Sequence, residues 1–356
     1  MKFTDEQWAL YKPRTWLSIH DLTTFKRCPR KFFFNTGCLL AQGEHDHPAL
    51  TFGECIHVAA PIVIEQGLDA GYRAFSEVWG TWEADDKRNP FGALRILTDF
   101  HEAHKDGGGL YELVEPPTQF RISQRVNKYE IPFALDIGGH VPFVGRLDGL
   151  CRLRANGTLW VLEYKTTSEM SARFFQAFDL SSQIIAYTMY MRIAHPQEPT
   201  HGAVVEGLRV SKTNAATQAQ PIFVKDHECE RMLSWIRRTM REIQWCEENR
   251  EFDESYSGCH PYDQFGSHGY QCEFAQLCHQ PDFMPLVGLY RKKEDRPYDL
   301  LINGKPLEDR KELVAGSNPS GVQLCSSTPS TSKNVIPPGS TMSDVVSAGT
   351  TIRMPL

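Results

Sequence analysis

The chain has 356 residues, 41% of them hydrophobic and 23% charged, and a net charge of −6. This is the composition of a soluble globular protein, and the negative balance offers no overall attraction to nucleic acid. Ten cysteines in a chain this long do not make a disulfide scaffold, so metal binding or burial is the expected fate of the thiols.

No run of about 20 apolar residues suggests a membrane span. The opening MKFTDEQWALYKPRTW lacks the apolar core of a signal peptide. A cytosolic setting is therefore expected. A nucleic-acid partner would have to be met locally, and three basic clusters are candidates: Lys26, Arg27, Arg30 and Lys31; Arg237, Arg238 and Arg241; Arg291, Lys292 and Lys293. Each, taken alone, reads as a solvated face.

Ser18 followed by Asp21 predicts a capped helix start, with Pro29 near its end or at a kink. A second helix is expected from Thr51. Residues 71–105 read as helical, with Trp79, Trp82, Phe91, Leu94, Leu97 and Phe100 as candidate buried positions, until Gly107, Gly108 and Gly109 break the chain. Strand-like alternation follows over 119–135, 138–153 and 160–166. A helix over 180–193, a strand over 201–211 and a long helix over 227–252 complete the core. Met232, Trp235, Ile236, Met240 and Ile243 recur at helical spacing in the last of these. A Cys-rich segment lies at about 255–285. From about Gly316 the chain is rich in Ser, Thr, Pro and Gly, which predicts a disordered tail. The order predicts an α/β domain over 1–312, with a central mixed sheet flanked by helices, a helical insertion at about 60–110 and a tail over 313–356. No GxxxxGK[ST] indicates a P-loop ATPase.

Asn156-Gly157 is a strong signal for a two-residue hairpin loop. That loop would place Asp148 opposite Lys165 and Leu150 opposite Glu163. With a side-chain period of two, Asp148, Glu163 and Lys165 share a face. Phe143, Leu147, Cys151, Leu153, Trp160, Leu162 and Tyr164 then form an apolar opposite face. Two carboxylates at cross-strand spacing can hold a hard divalent cation, and a neighbouring Lys can orient water and counter charge on a phosphate. The bland alternative is an Asp–Lys ion pair with Glu as a neighbour. Gln183 and Tyr187, four apart on the following helix, share a face. His57 lies on an early helix in GECIH.

Gly53 to His57, GRLDGL with Asp148, LEYKTT with Glu163 and Lys165, and QIIAY with Gln183 and Tyr187 occur in an order that resembles the PD-(D/E)xK nucleases. The RecB-like branch and the CRISPR-associated adaptation exonucleases are the most similar. The Pro of the motif name is absent, since Leu147 precedes Asp148. The resemblance covers about residues 18–285 and implies a restriction-endonuclease-like core. It further implies Mg²⁺ or Mn²⁺ on His57, Asp148, Glu163 and the Tyr164 carbonyl, with Asp148, Glu163 and Lys165 catalytic and Gln183 and Tyr187 supporting the Lys and the DNA. The implied activity is DNA hydrolysis, most simply from single- or double-stranded ends. A structure-specific endonuclease, a non-catalytic DNA-binding factor and a zinc-stabilised module are the alternatives. Recombination or helicase proteins are the implied partners, in a phage or mobile-element setting.

Cys259, Cys272 and Cys278 stand as C-x12-C-x5-C, with Cys28 far upstream. The spacing fits neither a zinc ribbon nor a ferredoxin run, and zinc, a cluster or unliganded thiols all stay open on the residues alone. It resembles the iron–sulfur branch of the same nucleases, which implies a [4Fe-4S] cluster on Cys28, Cys259, Cys272 and Cys278. The Cys259–Cys272 gap is longer than the compact form, and His260, His268 and His279 are nearby substitutes.

Overall fold

The computed structural model describes residues 2–43, 48–80, 85–116, 129–255 and 272–293. They belong to one compact unit, Met1–Cys325. The tail expected over 313–356 lies outside the described residues, as do Trp82 and most of 119–135.

Ser18 caps a helix as expected. Its side chain accepts from the Asp21 amide, and Asp21 accepts from the Ser18 amide at 2.9 Å, which opens α2 (Ile19–Arg27). Pro29 starts a new short helix, α3 (Pro29–Phe32), a first-turn position where its missing N–H costs nothing. α1 (Asp5–Trp8), β1 (Leu17–Ser18) and β2 (Leu40–Ala41) complete the N-terminal part. Then come α4 (Pro48–Gln66), α5 (Leu68–Trp79) and α6 (Pro90–His104). By length and composition α4 could cross a bilayer, yet Phe52, Cys55, Ile56, Ala59 and Val63 on it are core residues. On α6 the buried stripe is Ala93, Ile96, Leu97, Phe100 and His104. Phe91 (77% exposed) and Leu94 (36%) face away from it, contrary to expectation.

Two sheets matter for the site. A small one has the order β1–β5–β4, with β4 (Ile131–Leu135) antiparallel and β1 parallel to β5 (Phe143–Leu147). The central mixed sheet has the order β3–β6–β7–β8–β9: β3 (Tyr111–Val114), β6 (Gly149–Leu153), β7 (Leu159–Thr167), β8 (Gly202–Arg209) and β9 (Thr217–Phe223). Only the β7–β8 pair is parallel. The helices α7 (Ala172–Gln176) and α8 (Ser182–Ala194) form the crossover that a parallel pair requires. α9 (Asp226–Asn249) follows β9. The sequence pattern showed neither β3 nor β9.

The central sheet is buried on both faces. Val161, Leu159, Leu150, Ala203 and Val205 join one core with residues of α2, α8 and α9. Their alternating neighbours Trp160, Leu162, Tyr164, Cys151 and Val204 join a second core with α4, α5 and α6. Each fully buried Leu, Val or Phe contributes roughly 1.5–3 kcal/mol, so the alternation fixes register strongly. Phe143 and Leu147 do not share a face with Cys151 and Trp160 as expected. They pack in the first core, because the chain changes sheet at Asp148, between β5 and β6.

The hairpin register also differs from expectation. Leu150 pairs with Val161 and Cys151 with Trp160, so the strands are shifted by two positions. The turn spans 154–157: the Leu153 amide donates to the Thr158 carbonyl (3.1 Å), and the Gly157 amide to the Leu153 carbonyl (2.8 Å). Gly157 takes φ +69, whereas Asn156 is not among the positive-φ residues, and a two-residue type I′ loop needs both. Asn156 instead accepts from the Thr158 amide and hydroxyl through Oδ1. An even shift leaves every side chain on its original face.

Candidate metal centre and active site

Asp148 stands at the bend where β5 becomes β6. Its Oδ2 accepts from the Tyr164 amide of β7 at 2.8 Å and from His57 Nδ1 at 3.3 Å. His57 reaches it from α4, which lies close to β7: a Cβ on Gly53, one turn before the His, would sit 3.4 Å from Thr166 Oγ1.

Glu163 is almost fully buried, at 1% exposure. Its Oε1 accepts from Gln183 Nε2 (2.8 Å), at the first turn of α8, and from Lys165 Nζ. Its Oε2 is buried with no hydrogen-bond partner among the described residues. Asp148, Glu163 and Lys165 thus converge, as the shared face predicts. Tyr187, one turn further along α8, is buried edge-on against Phe133 (5.7 Å between centroids).

A residue that sequence reasoning missed completes the cluster. Glu130 precedes β4, and continuing the Ile131–Leu147 pairing by one position sets it opposite Asp148. Its amide donates to the Asp148 carbonyl at 3.2 Å, its carboxylate pairs with Arg146, and its φ is +55. A non-Gly residue in that region is strained, and such strain collects at functional sites. One donor atom each from His57, Glu130 and Asp148 lies within 4.8 Å of the others, which is close enough to share one ion. The sequence reading placed Glu130 inside a strand over 119–135, of which 119–128 lie outside the described residues, and alternation alone does not single it out.

Charge follows the geometry. Burial drives the Glu163 carboxyl up to about 7, reinforced by Asp148 and opposed by Lys165. Burial and Asp148 likewise raise Glu130. Burial would raise Asp148 as well, but His57, Lys165 and the Tyr164 amide outweigh it and hold its pKa low. Burial disfavours charge on His57 and Lys165, yet the carboxylates outweigh it and raise both. Each of the three acids has a basic partner: His57 for Asp148, Arg146 for Glu130 and Lys165 for Glu163.

The donor set suits a hard divalent cation. Carboxylates and an imidazole line it, and Glu163 Oε2 is a buried acceptor whose lone pairs go unused, a state that costs free energy until something binds there.

The proposed cluster residues divide. Cys28 is buried, caps α3 and accepts from the Lys31 amide (3.4 Å). Cys272 and Cys278 are half-buried at either end of a segment ending in α10 (Ala275–Cys278). That segment packs on the Cys28 region: Lys31 pairs with Glu273 (3.0 Å), and Phe274 lies 5.5 Å from Phe34. Cys259, His260 and His268 lie outside the described residues.

The description of the PD-(D/E)XK nuclease superfamily matches residues 16–279. The chain belongs to that superfamily, whose members are hydrolytic nucleases dependent on divalent metals. Among solved structures the chain is similar to the "Putative exonuclease" of Eubacterium rectale, at 13% identity and a TM-score of 0.41 over 71% of this chain and 90% of that one. It is also similar to the protein SSO0001, at 14% identity and a TM-score of 0.27 over 67% and 81%. Among curated proteins no match was found.

Proposed function

We propose that the protein is a Mg²⁺- or Mn²⁺-dependent deoxyribonuclease that degrades DNA from ends. What carries this reading is the meeting of His57, Glu130 and Asp148 beside the unused oxygen of Glu163 and the ammonium of Lys165. His57, Asp148, Glu163 and the Tyr164 carbonyl would hold the ion, with Glu130 as an added carboxylate. A cation there would polarise the phosphate and stabilise charge on the leaving oxygen. The carboxylates suit Mg²⁺ and Mn²⁺, and the imidazole is the softer donor of the set.

The chain's own groups do the rest. Glu163 must shed its proton before it can ligate, so loading is favoured above about pH 7. Lys165, held against Glu163, orients the attacking water and faces the charge that builds on the phosphate. Gln183 fixes the Glu163 carboxylate, and Tyr187 stiffens α8 from the core side. Cys28, Cys259, Cys272 and Cys278 would carry a [4Fe-4S] cluster joining the N-terminal helices to the C-terminal segment; the packing of 272–278 on the Cys28 region supports this. Protein purified without oxygen should then absorb visible light, which a zinc site cannot do because Zn²⁺ is d¹⁰.

The deciding assay gives purified protein and Mn²⁺ both linear and closed circular DNA, single- and double-stranded. Loss of linear DNA with intact circles is expected. Cut circles would indicate an endonuclease, and tight binding without any cleavage a non-catalytic factor.

A further inference from the structure

Three basic clusters stand out in the sequence, and the fold treats them differently. Lys292 lies on β10 (Arg291–Lys292), which pairs with β2, and Lys293 donates to Asn35 Oδ1 at 2.6 Å. Arg30 is buried, donating to the Phe252 carbonyl at 2.8 Å, and Arg237 donates to the Ile137 carbonyl at 2.6 Å. Lys31 is committed to Glu273. These residues are structural.

Lys292 stays exposed on β10, and four other exposed basic residues lie together at α2 and α9. Lys26 at the end of α2 faces Arg238 and Arg241 of α9 across a groove of about 470 Å³ floored by Phe25 and Cys246. Arg27, also exposed, adjoins Lys26 at the end of α2. Arg238, Arg241, Glu242 and Trp245 fall at i, i+3, i+4 and i+7, one face of α9. Glu242 is ion-paired with Lys26. Trp245 lines the same groove with 53% of its surface exposed, so its ring is accessible to a flat partner beside the two guanidinium groups.

We infer that the α2–α9 groove is a single-stranded DNA subsite, in which Arg238 and Arg241 hold phosphates and Trp245 stacks on a base. The inference rests on the reading of the protein as a DNA nuclease and adds to it a place where the strand is held away from the carboxylates. Guanidinium groups beside an exposed aromatic ring match a polyanion that carries flat apolar bases. A duplex keeps its bases stacked inside and leaves the indole nothing to cover it. The net charge of −6 is therefore no bar, because the positive charge is concentrated where the ring is.

The test measures binding of a fluorescein-labelled dT12 oligonucleotide without divalent metal, in an Asp148→Ala background that cannot cut it. Arg238→Ala with Arg241→Ala should flatten the dependence of log affinity on log salt by about 1.4, at about 0.7 for each phosphate no longer neutralised. Trp245→Ala should weaken binding about tenfold or more, and Trp245→Phe should retain most of it. The side chains are exposed, and an unchanged thermal transition confirms folding; Arg241→Glu serves as a second charge probe should the double variant fail that check. Equal affinity and equal salt slope in the parent and the groove variants would overturn the inference, and would leave the groove to an acidic protein partner. The nuclease reading fails separately: the wild type would then leave DNA intact in Mn²⁺ whatever the groove variants bind.

Discussion

The two ends of the β6–β7 hairpin are subject to the same period of two, and they meet expectation unequally. At the turn end the dipeptide Asn156-Gly157 suggests a two-residue loop, and the chain forms a longer turn with only Gly157 in the left-handed region. At the open end Asp148, Glu163 and Lys165 meet as expected. The error at one end did not reach the other because it is a shift of two positions, and strand side chains repeat every two. Faces survive such a slip and partners do not. Asp148 therefore lies level with Glu163 instead of Lys165, and the Lys meets the Glu from two positions along its own strand.

The open end should then carry chemistry and the turn end only stability. The largest effect belongs to Asp148→Ala, which removes the acceptor for the Tyr164 amide and the partner of His57. Mn²⁺-dependent cleavage should fall by about 10²–10³ or more, as measured by single-turnover rates. Glu130→Gln comes next. It keeps the shape and the backbone bond to Asp148 but removes a carboxylate, so Mn²⁺ affinity should drop by about 10–100-fold in a calorimetric titration.

Glu163→Gln separates function from stability. The folded pKa of Glu163 is raised to about 7, so this group stabilises the metal-free protein below the ordinary carboxylate range. That contribution is lost as pH rises toward 7 and is absent above it. The Gln variant should abolish cleavage yet melt about 3 °C or more above the metal-free wild type at pH 8, with the gap closing toward pH 5. The smallest effect is expected at the turn. Gly157→Ala forces a Cβ into a φ of +69 with nothing within 4 Å to clash, costing about 1–2 kcal/mol. The melting temperature should fall by a few degrees and the cleavage rate should not change.

Much of the site was legible because it depends on periodicity. The Ser18–Asp21 cap, the α9 stripe and the shared face of the three charged residues are local patterns, and each appears where expected. What stayed hidden depends on pairing between distant segments. Glu130 becomes a neighbour of Asp148 only once β4 is laid against β5. β9 is a half-exposed edge strand carrying Pro221 and three polar residues, so its composition reads as loop. The sheet change at Asp148 breaks the alternation of β5 into β6, which no period of two can foresee. Phe91 and Leu94 are a different kind of miss: the α6 stripe from Ala93 to His104 was present in the sequence, and these two lie off it.

The central claim is that Lys165 and the carboxylates form one hydrolytic site, and its most direct test is the rate of Mn²⁺-dependent degradation of end-labelled linear DNA by wild type and Lys165→Ala, purified side by side without oxygen. Degradation by the wild type and its loss in Lys165→Ala, with folding intact, is the predicted result. An equal rate in both proteins would contradict the account.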